Sequence, residues 1–320
     1  MHIGVHTPPL YDRPLPEAIE YLDRIGVSAI EPGVGGHPGT EHLPPGEYLD
    51  DDDRQSDLLG LLDERDMSIS ALAAHANPLH PDGDRAATAD EDLRTAIRLA
   101  AQMDVGTVTC FSGLPAGAPG DSVPNWIVAP WPPEHAEALE YQWEVATDYW
   151  EDLAGFAAEL AVDVAVEMHP NMLVHEPHGL ARLREATNDR VGANFDPSHL
   201  YWQGIDPTEA VRFLGDAVHH VHAKDTAVYE ANARTKGVLD TVPYGESVDR
   251  SWAFRTVGNG HDESHWKDLV STLRMVGYDG ALSIEHEDAL TSSREGLEKA
   301  VDVLQRSVLE TRPGEAYWTG

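Results

Sequence analysis

Residues 163–224 read DVAVEMHPNMLVHEPHGLARLREATNDRVGANFDPSHLYWQGIDPTEAVRFLGDAVHHVHAK. Three strand-like runs stand in this stretch, at 163–169 (DVAVEMH), 191–196 (VGANFD) and 217–224 (AVHHVHAK). Between them, residues 179–187 and 207–214 carry apolar side chains at helical spacing. A period that switches from two to about 3.6 and back is the pattern of parallel strand–helix–strand units. Working outward, the alternation continues. Upstream lie runs at 2–7 (HIGVHT), 28–33 (SAIEPG), 68–75 (SISALAAH) and 107–112 (TVTCFS), with helical stretches near 15–25, 56–65, 90–103 and 133–160. Downstream come a helical stretch at 264–276, a last run at 280–287 (GALSIEHE) and a last helix at 293–304.

Eight strand-like runs, each followed by a helix, in 320 residues predict an α/β protein built as a single (β/α)8 TIM barrel. An open doubly wound sheet would offer a Gly-rich turn after an early strand. No GxGxxG occurs, and the GVGG at 33–36 is not followed by a helical pattern. The barrel is expected to span residues 1–320, with a long insertion at about 226–263 after the seventh strand and a C-terminal extension at about 308–320. Residues 114–132, rich in Pro and Gly, form a second irregular segment. Long loops in a compact domain are usually lids, binding loops or disordered segments.

Composition narrows the function classes. Asp and Glu number 56 against 22 Lys and Arg, for a formal charge of −34. Such a field repels phosphate backbones and anionic lipid, so neither nucleic acid nor a membrane surface is an expected partner. The charge is spread along the chain, with Asp50 to Asp53 its only dense run, which suits an acidic surface adapted to high salt and a halophilic source. A single cysteine, Cys110, excludes an intrachain disulfide. No apolar run approaches the length of a membrane span, and the opening MHIGVHTPPL has no basic stretch leading into an apolar one. A cytoplasmic location is expected.

In a barrel, polar residues at the C-terminal ends of strands gather at one mouth. Here those ends carry His6, Glu31, His75, Glu167 with His169, Asp196 with His199, His222 with Lys224, and Glu285 with Glu287. Residues two apart share a face of a strand, so Glu167 goes with His169, and His220, His222 and Lys224 go together. Met168, His219 and His286 take the opposite faces. Glu167, Asp196, His222 and Glu285 would bring three carboxylates and an imidazole to one place, where like charges repel strongly. A divalent cation is the natural counter-charge. An oxygen-rich set with one nitrogen suits Mn²⁺ first, and also Mg²⁺, Co²⁺ or Zn²⁺. His6 and Glu31 fit equally a role of orienting other groups.

The order VAVEMHP, ANFDPSH, HVHAKD and LSIEHED, on strands five to eight, resembles the xylose isomerase-like barrel superfamily of sugar isomerases and epimerases related to endonuclease IV. The resemblance implies one divalent metal held by Glu167, Asp196, His222 and Glu285. It also implies a substrate-binding or supporting role for His199. Endonuclease-IV-type members bind three zinc ions through further ligands. Here the fourth strand ends in Phe111 and Ser112, and no Asp-x-His follows His222, so DNA repair is not expected.

These residues together predict proton abstraction next to a carbonyl of an unphosphorylated ketosugar or polyol, by way of an enediolate. Glu167 and Glu285 are the candidate catalytic carboxylates, and His75, His169, His199, Lys224 and Arg255 the candidate substrate contacts, Arg255 by closing over the site. The reaction expected is isomerisation or epimerisation. A lyase or dehydratase acting on a keto-inositol or 3-keto-glycoside begins with the same enolate, and a metal- or sugar-binding protein without catalysis is the third reading. Trp126, Trp131, Trp143 and Trp150 offer sugar stacking or, more in keeping with their spacing, packing. The segment 313–318 (PGEAYW) offers a docking tail, and association into a homo-oligomer is compatible with all of this.

Overall fold

The computed structural model describes residues 1–311 and Gly314. Alternation decides which way each strand faces. In the fifth strand Val164 and Val166 belong to the apolar core, whereas Glu167, on the other face from Val166, lines a cavity. The eight barrel strands are β1 (His2–His6), β2 (Ala29–Glu31 and Gly33–Gly36), β3 (Ser68–Ile69 and Leu72–His75), β4 (Thr107–Phe111), β5 (Asp163–Glu167), β6 (Val191–Phe195), β7 (Val218–Ala223) and β8 (Ala281–Ile284). Every neighbouring pair in this ring is parallel, and β1 pairs with both β8 and β2. The ring closes because both halves of β2 pair with the corresponding halves of β3.

Pro32 divides β2, as expected of a residue with no N–H to give to a ladder. The sequence ends this strand at Gly33, and the structure carries it on to Gly36. Glycine disfavours strands, but here the backbone needs the space. A side chain at Gly36 would strike the carbonyl of His75, and its φ of +65° lies in the left-handed region. That close approach lets the His37 amide bond the His75 carbonyl at 2.8 Å, bringing His37 to the barrel mouth.

The principal helices are Leu15–Arg24, Asp52–Asp63, Gly83–Gln102, Pro133–Glu159, Pro177–Ala186, Pro207–Leu214, Glu263–Met275 and Ser293–Gln305. Two begin earlier than their apolar periodicity suggests. Asp51 accepts from the Arg54 amide, and Asp82 from the amides of Asp84 and Arg85, so each acidic cap opens a first turn that has no apolar stripe to reveal it.

The insertion after β7 is not irregular. Asp225–Val228 pairs antiparallel with Trp252–Arg255, and Glu230–Lys236 is helical. The Asp225 carboxylate, fully buried, accepts from the amides of Thr226, Gly258, Gly260 and His261 and from the Trp266 indole, which pins both ends of the hairpin. Trp202 joins Trp252 and Phe254 of the hairpin in a second small apolar cluster. After the last helix, the Leu309 carbonyl accepts from the N-terminal ammonium at 3.1 Å. The 313–318 segment lies outside the described residues, Gly314 excepted. No described helix is long and apolar enough to cross a membrane.

Candidate active site

Glu167 ends β5, Asp196 follows β6, His222 lies near the end of β7, and Glu285 follows β8. Parallel strands of matched register bring these four ends together. One ligand atom from each of the four lies within 4.8 Å of the others. His222 Nδ1 stands 3.3 Å from Glu167 Oε2 and 3.2 Å from Glu285 Oε2. His222 Nδ1 and Asp196 Oδ2 are both buried, and Asp196 Oδ2 is approached by His199 Nε2 at 3.2 Å and Lys224 Nζ at 3.4 Å. Three carboxylates crowded around one imidazole nitrogen repel one another and favour a shared cation. A divalent cation satisfies all of them, so the residues fit a metal of the oxygen-rich class.

Burial and the surrounding charges shift the carboxylates in opposite directions. Burial pushes the Glu167 carboxyl up, but hydrogen bonds from His199, His222 and His75 outweigh it and hold it well below the usual range. Burial also raises Glu285, and there the Lys224 ammonium and His222 outweigh it. Burial wins at Asp196, whose pKa is raised despite Lys224 and His199. Lys224 Nζ sits 2.8 Å from Glu285, 2.7 Å from Glu287 and 3.4 Å from Asp196, and these carboxylates keep it charged against the cost of burial. His169, by contrast, is lowered to about 3 by burial and then by His199, and is therefore neutral.

Beneath the four lies a carboxylate with no exposure at all. Glu31 of β2 accepts from Thr109 Oγ1 of β4 at 2.7 Å and from Ser283 Oγ of β8 at 2.6 Å, and His222 Nε2 is 3.1 Å from both of its oxygens. Burial raises the Glu31 carboxyl, but His222 and His220 outweigh it and keep it well below its ordinary value. An ionised Glu31 accepts a hydrogen bond from the Nε2–H of His222, which favours the tautomer whose Nδ1 can bind a cation. A second relay supports Glu167: Asn194 Nδ2 donates to it at 3.2 Å, and His220 Nδ1 is 3.1 Å from Asn194 Oδ1.

A cavity of about 500 Å³ opens over the site, with His6, His37, His75, Phe111, Glu167, His169, Lys224, Glu285 and Glu287 among its lining residues. His75 Nε2 is 3.0 Å from Glu167 Oε2. His199 is buried off the cavity wall and spans the two carboxylates, 2.9 Å from Glu167 and 3.2 Å from Asp196. Arg255 does not line the cavity: its guanidinium is taken by Asp288 at 3.1 Å, fastening the hairpin to the β8 loop. None of Trp126, Trp131, Trp143 or Trp150 lines it either. Trp150 is buried in the core, its indole donating to the Ser112 carbonyl, and Trp131 is 78% exposed. Phe111, Thr109, Asn194 and Ser283 escaped the sequence reading. Strand alternation already points to them, since Thr109 stands two before Phe111, Asn194 two before Asp196 and Ser283 two before Glu285.

A parallel eight-stranded barrel with acidic and imidazole groups at its strand ends defines a class. Residues 19–307 match the xylose isomerase-like TIM barrel family, and the chain belongs to it. It is 36% identical over 312 residues to the Bacillus subtilis (strain 168) protein YfiH, covering 96% of this chain and 99% of that one. It is 27% identical over 154 residues to an inosose dehydratase of Histophilus somni (strain 129Pt), about half of either chain (46% and 49%). Among solved structures, the probable 3-DHS dehydratase AsbF of Bacillus anthracis superposes with a TM-score of 0.69 at 14% identity, covering 95% of this chain and 99% of that one. An IolI protein with a bound zinc atom gives 0.66 at 18% identity over 96% and 99%. The D-psicose 3-epimerase of Clostridium cellulolyticum H10 gives 0.63 at 14% identity over 96% and 98%. The fold is thus shared with both epimerases and dehydratases.

Proposed function

We propose that this chain is a divalent-metal-dependent isomerase or epimerase that removes a proton next to the carbonyl of an unphosphorylated ketosugar. The observation that carries the reading is the pair Glu167 and Glu285, two carboxylates from β5 and from just beyond β8 that line one cavity and share His222 Nδ1. Glu167, Asp196, His222 and Glu285 would hold the cation, Mn²⁺ by preference, and it would supply Lewis-acid stabilisation of the negative charge that develops on oxygen. Glu167 and Glu285 are both ionised at neutral pH, the form a general base requires. One takes the proton and is left as the acid; the other, an anion at rest, first gains a proton from solvent and then returns it to the opposite face, which inverts the carbon. Lys224, charged and on the cavity wall, is placed to donate to a substrate oxygen. His75 and His169 orient the remaining hydroxyls.

A second reading has its own support. The half-chain similarity to inosose dehydratase favours loss of water from a keto-inositol after the same proton abstraction. The Mn²⁺-loaded protein, incubated in D₂O with ketoses and keto-inositols, separates the two. Deuterium at the carbon next to the carbonyl together with an inverted product is the expected result, and release of water with little exchange would favour the dehydratase. Absence of exchange with every substrate, or full turnover by Glu167→Gln and Glu285→Gln, overturns the proton-abstraction mechanism.

A further inference from the structure

The insertion after β7 reaches the site through Phe254. This residue is buried in the second strand of the hairpin, and the Lys224 ammonium lies 4.4 Å over its ring. The same ring meets the His199 imidazole edge to face, with the planes 90° apart and the centroids 5.4 Å from each other. Lys224 follows β7 and His199 follows β6, so one ring of the insertion touches two of the side chains gathered at the barrel mouth.

The hairpin seats that ring from several directions. Phe254 pairs with Thr226, whose hydroxyl donates to the Ser198 carbonyl at 2.9 Å, one residue before His199. Two residues further on, the Thr256 amide donates to Asp288 at 2.8 Å. The Tyr244 ring lies 18° from that of Phe254, with centroids 5.6 Å apart, and the Arg250 guanidinium sits 4.3 Å over Tyr244. A run of cation, ring, ring and cation therefore joins Lys224 to Arg250, which is itself buried and bonded through Nε to the Trp252 carbonyl at 2.9 Å. Functional side chains keep their geometry when packing and hydrogen bonds lock their supports in this way.

Lys224 needs such a support. Its Nζ is 2.8 Å from Glu285, 2.7 Å from Glu287 and 3.4 Å from Asp196, and Glu287 is half exposed. Carboxylates attract an ammonium without fixing it, because its stem is flexible and its three N–H groups can exchange partners. The negative face of a buried ring adds attraction from one fixed place and keeps water from that side. A leucine there would supply bulk but not the attraction.

Resting on the reading of Lys224 as a donor to substrate oxygen, we infer that Phe254 is a positioning residue for the reaction: it holds the Lys224 ammonium at the cavity wall and braces His199 against Glu167 and Asp196. The insertion is thereby a working part of the site and not only a cover for it. The chain has four lysines, Lys224, Lys236, Lys267 and Lys299, so ¹⁵N NMR of the Mg²⁺-loaded protein can follow every Nζ, and Lys224→Arg assigns the one that matters. In the native protein the Lys224 Cε protons should show an upfield ring-current shift and a nuclear Overhauser effect to the Phe254 ring. Exchange of the Lys224 ammonium protons with water should quicken about tenfold in Phe254→Leu, the order expected for a desolvated cation–π contact. Trifluorophenylalanine in place of Phe254 keeps the shape of the ring but loses most of its negative face, and its exchange rate should fall between those two. Deuterium uptake by any ketose that the native protein exchanges should slow by a similar factor in Phe254→Leu. Equal ammonium exchange in the native and fluorinated proteins, or no Overhauser effect in the native one, overturns the inference. So does deuterium uptake that is undiminished in Phe254→Leu. Graded exchange at Lys224 with no deuterium uptake from any substrate would instead overturn the enzyme reading and leave the ring's hold on Lys224 standing.

Discussion

At the scale of single residues, the carboxylate to explain is Glu31, because it touches no cavity yet has every oxygen engaged. It receives hydroxyl protons from Thr109 and Ser283 and faces His222 Nε2, three partners from three different strands. A group of this kind fixes the tautomer and plane of a ligating imidazole, and losing it typically lowers metal affinity about 10–100-fold. Glu31→Gln keeps the volume and one acceptor but loses the negative charge opposite the Nε2 proton. Its expected effect is a drop of that order in Mn²⁺ affinity by calorimetry, with the His222 Nε2 proton signal shifted in NMR. Unchanged affinity with an unchanged signal would reduce Glu31 to a packing residue. The four outer groups were legible because strand ends and alternation determine where a side chain goes. Whether Glu31, His6, Thr109, Asn194 and Ser283 act on those groups depends on distances across the barrel, and nothing local in their runs encodes that. Arg255 shows the same dependence on distant partners. It was placed by its loop, whereas its partner Asp288 lies 33 residues on.

At the scale of elements, barrel strands announce themselves by apolar runs, and helices by apolar stripes, so the eight units were readable. The hairpin was not. Its strands, Asp225–Val228 and Trp252–Arg255, are short, separated by a polar helix and held by buried carboxylates rather than by periodicity. One of those carboxylates makes the hairpin sensitive to acid. Burial raises Asp288, but the amides of Thr256 and Leu290 and the Arg255 guanidinium outweigh it and lower its pKa. A depressed carboxyl pKa adds stability that is present above the unfolded value of about 4 and lost as pH falls through the folded value. Hydrogen exchange of the Trp252–Arg255 amides should therefore accelerate as pH drops below about 4, after correction for intrinsic rates. Asp288→Asn should raise exchange already at pH 7, by the equivalent of about 1.5–3 kcal/mol for bonds to a charged group, and should flatten the pH dependence. A wild-type profile that matches the variant's at all pH values would mean that Asp288 does not hold the hairpin.

At the scale of the whole molecule, the charge of −34 divides into two populations that salt treats differently. Glu31, Glu167, Asp196 and Asp225 are almost without exposure, each within bonding distance of an imidazole, an ammonium or backbone amides. Ions in solution reach such groups poorly, so their energetics should change little with ionic strength. The exposed acids are the larger population, and with 56 acidic against 22 basic side chains most cannot be paired. Those that are paired, such as Arg54 with Glu47 or Lys299 with Glu295, lie at the surface, where each pair is worth about 0–1 kcal/mol. Salt weakens these attractions and the net repulsion together, and the excess of one sign makes the repulsion the larger effect. The melting temperature should accordingly rise between about 0.05 and 1 M KCl, as the screening length falls from more than about 10 Å to about 3 Å. The rise should be steepest at low concentration, where screening changes most, whereas stabilisation through excluded solute grows steadily with concentration. A melting temperature that is flat or falls over this range would mean that the surface pairs outweigh the excess charge, and the acidic composition would then need a cause other than salt.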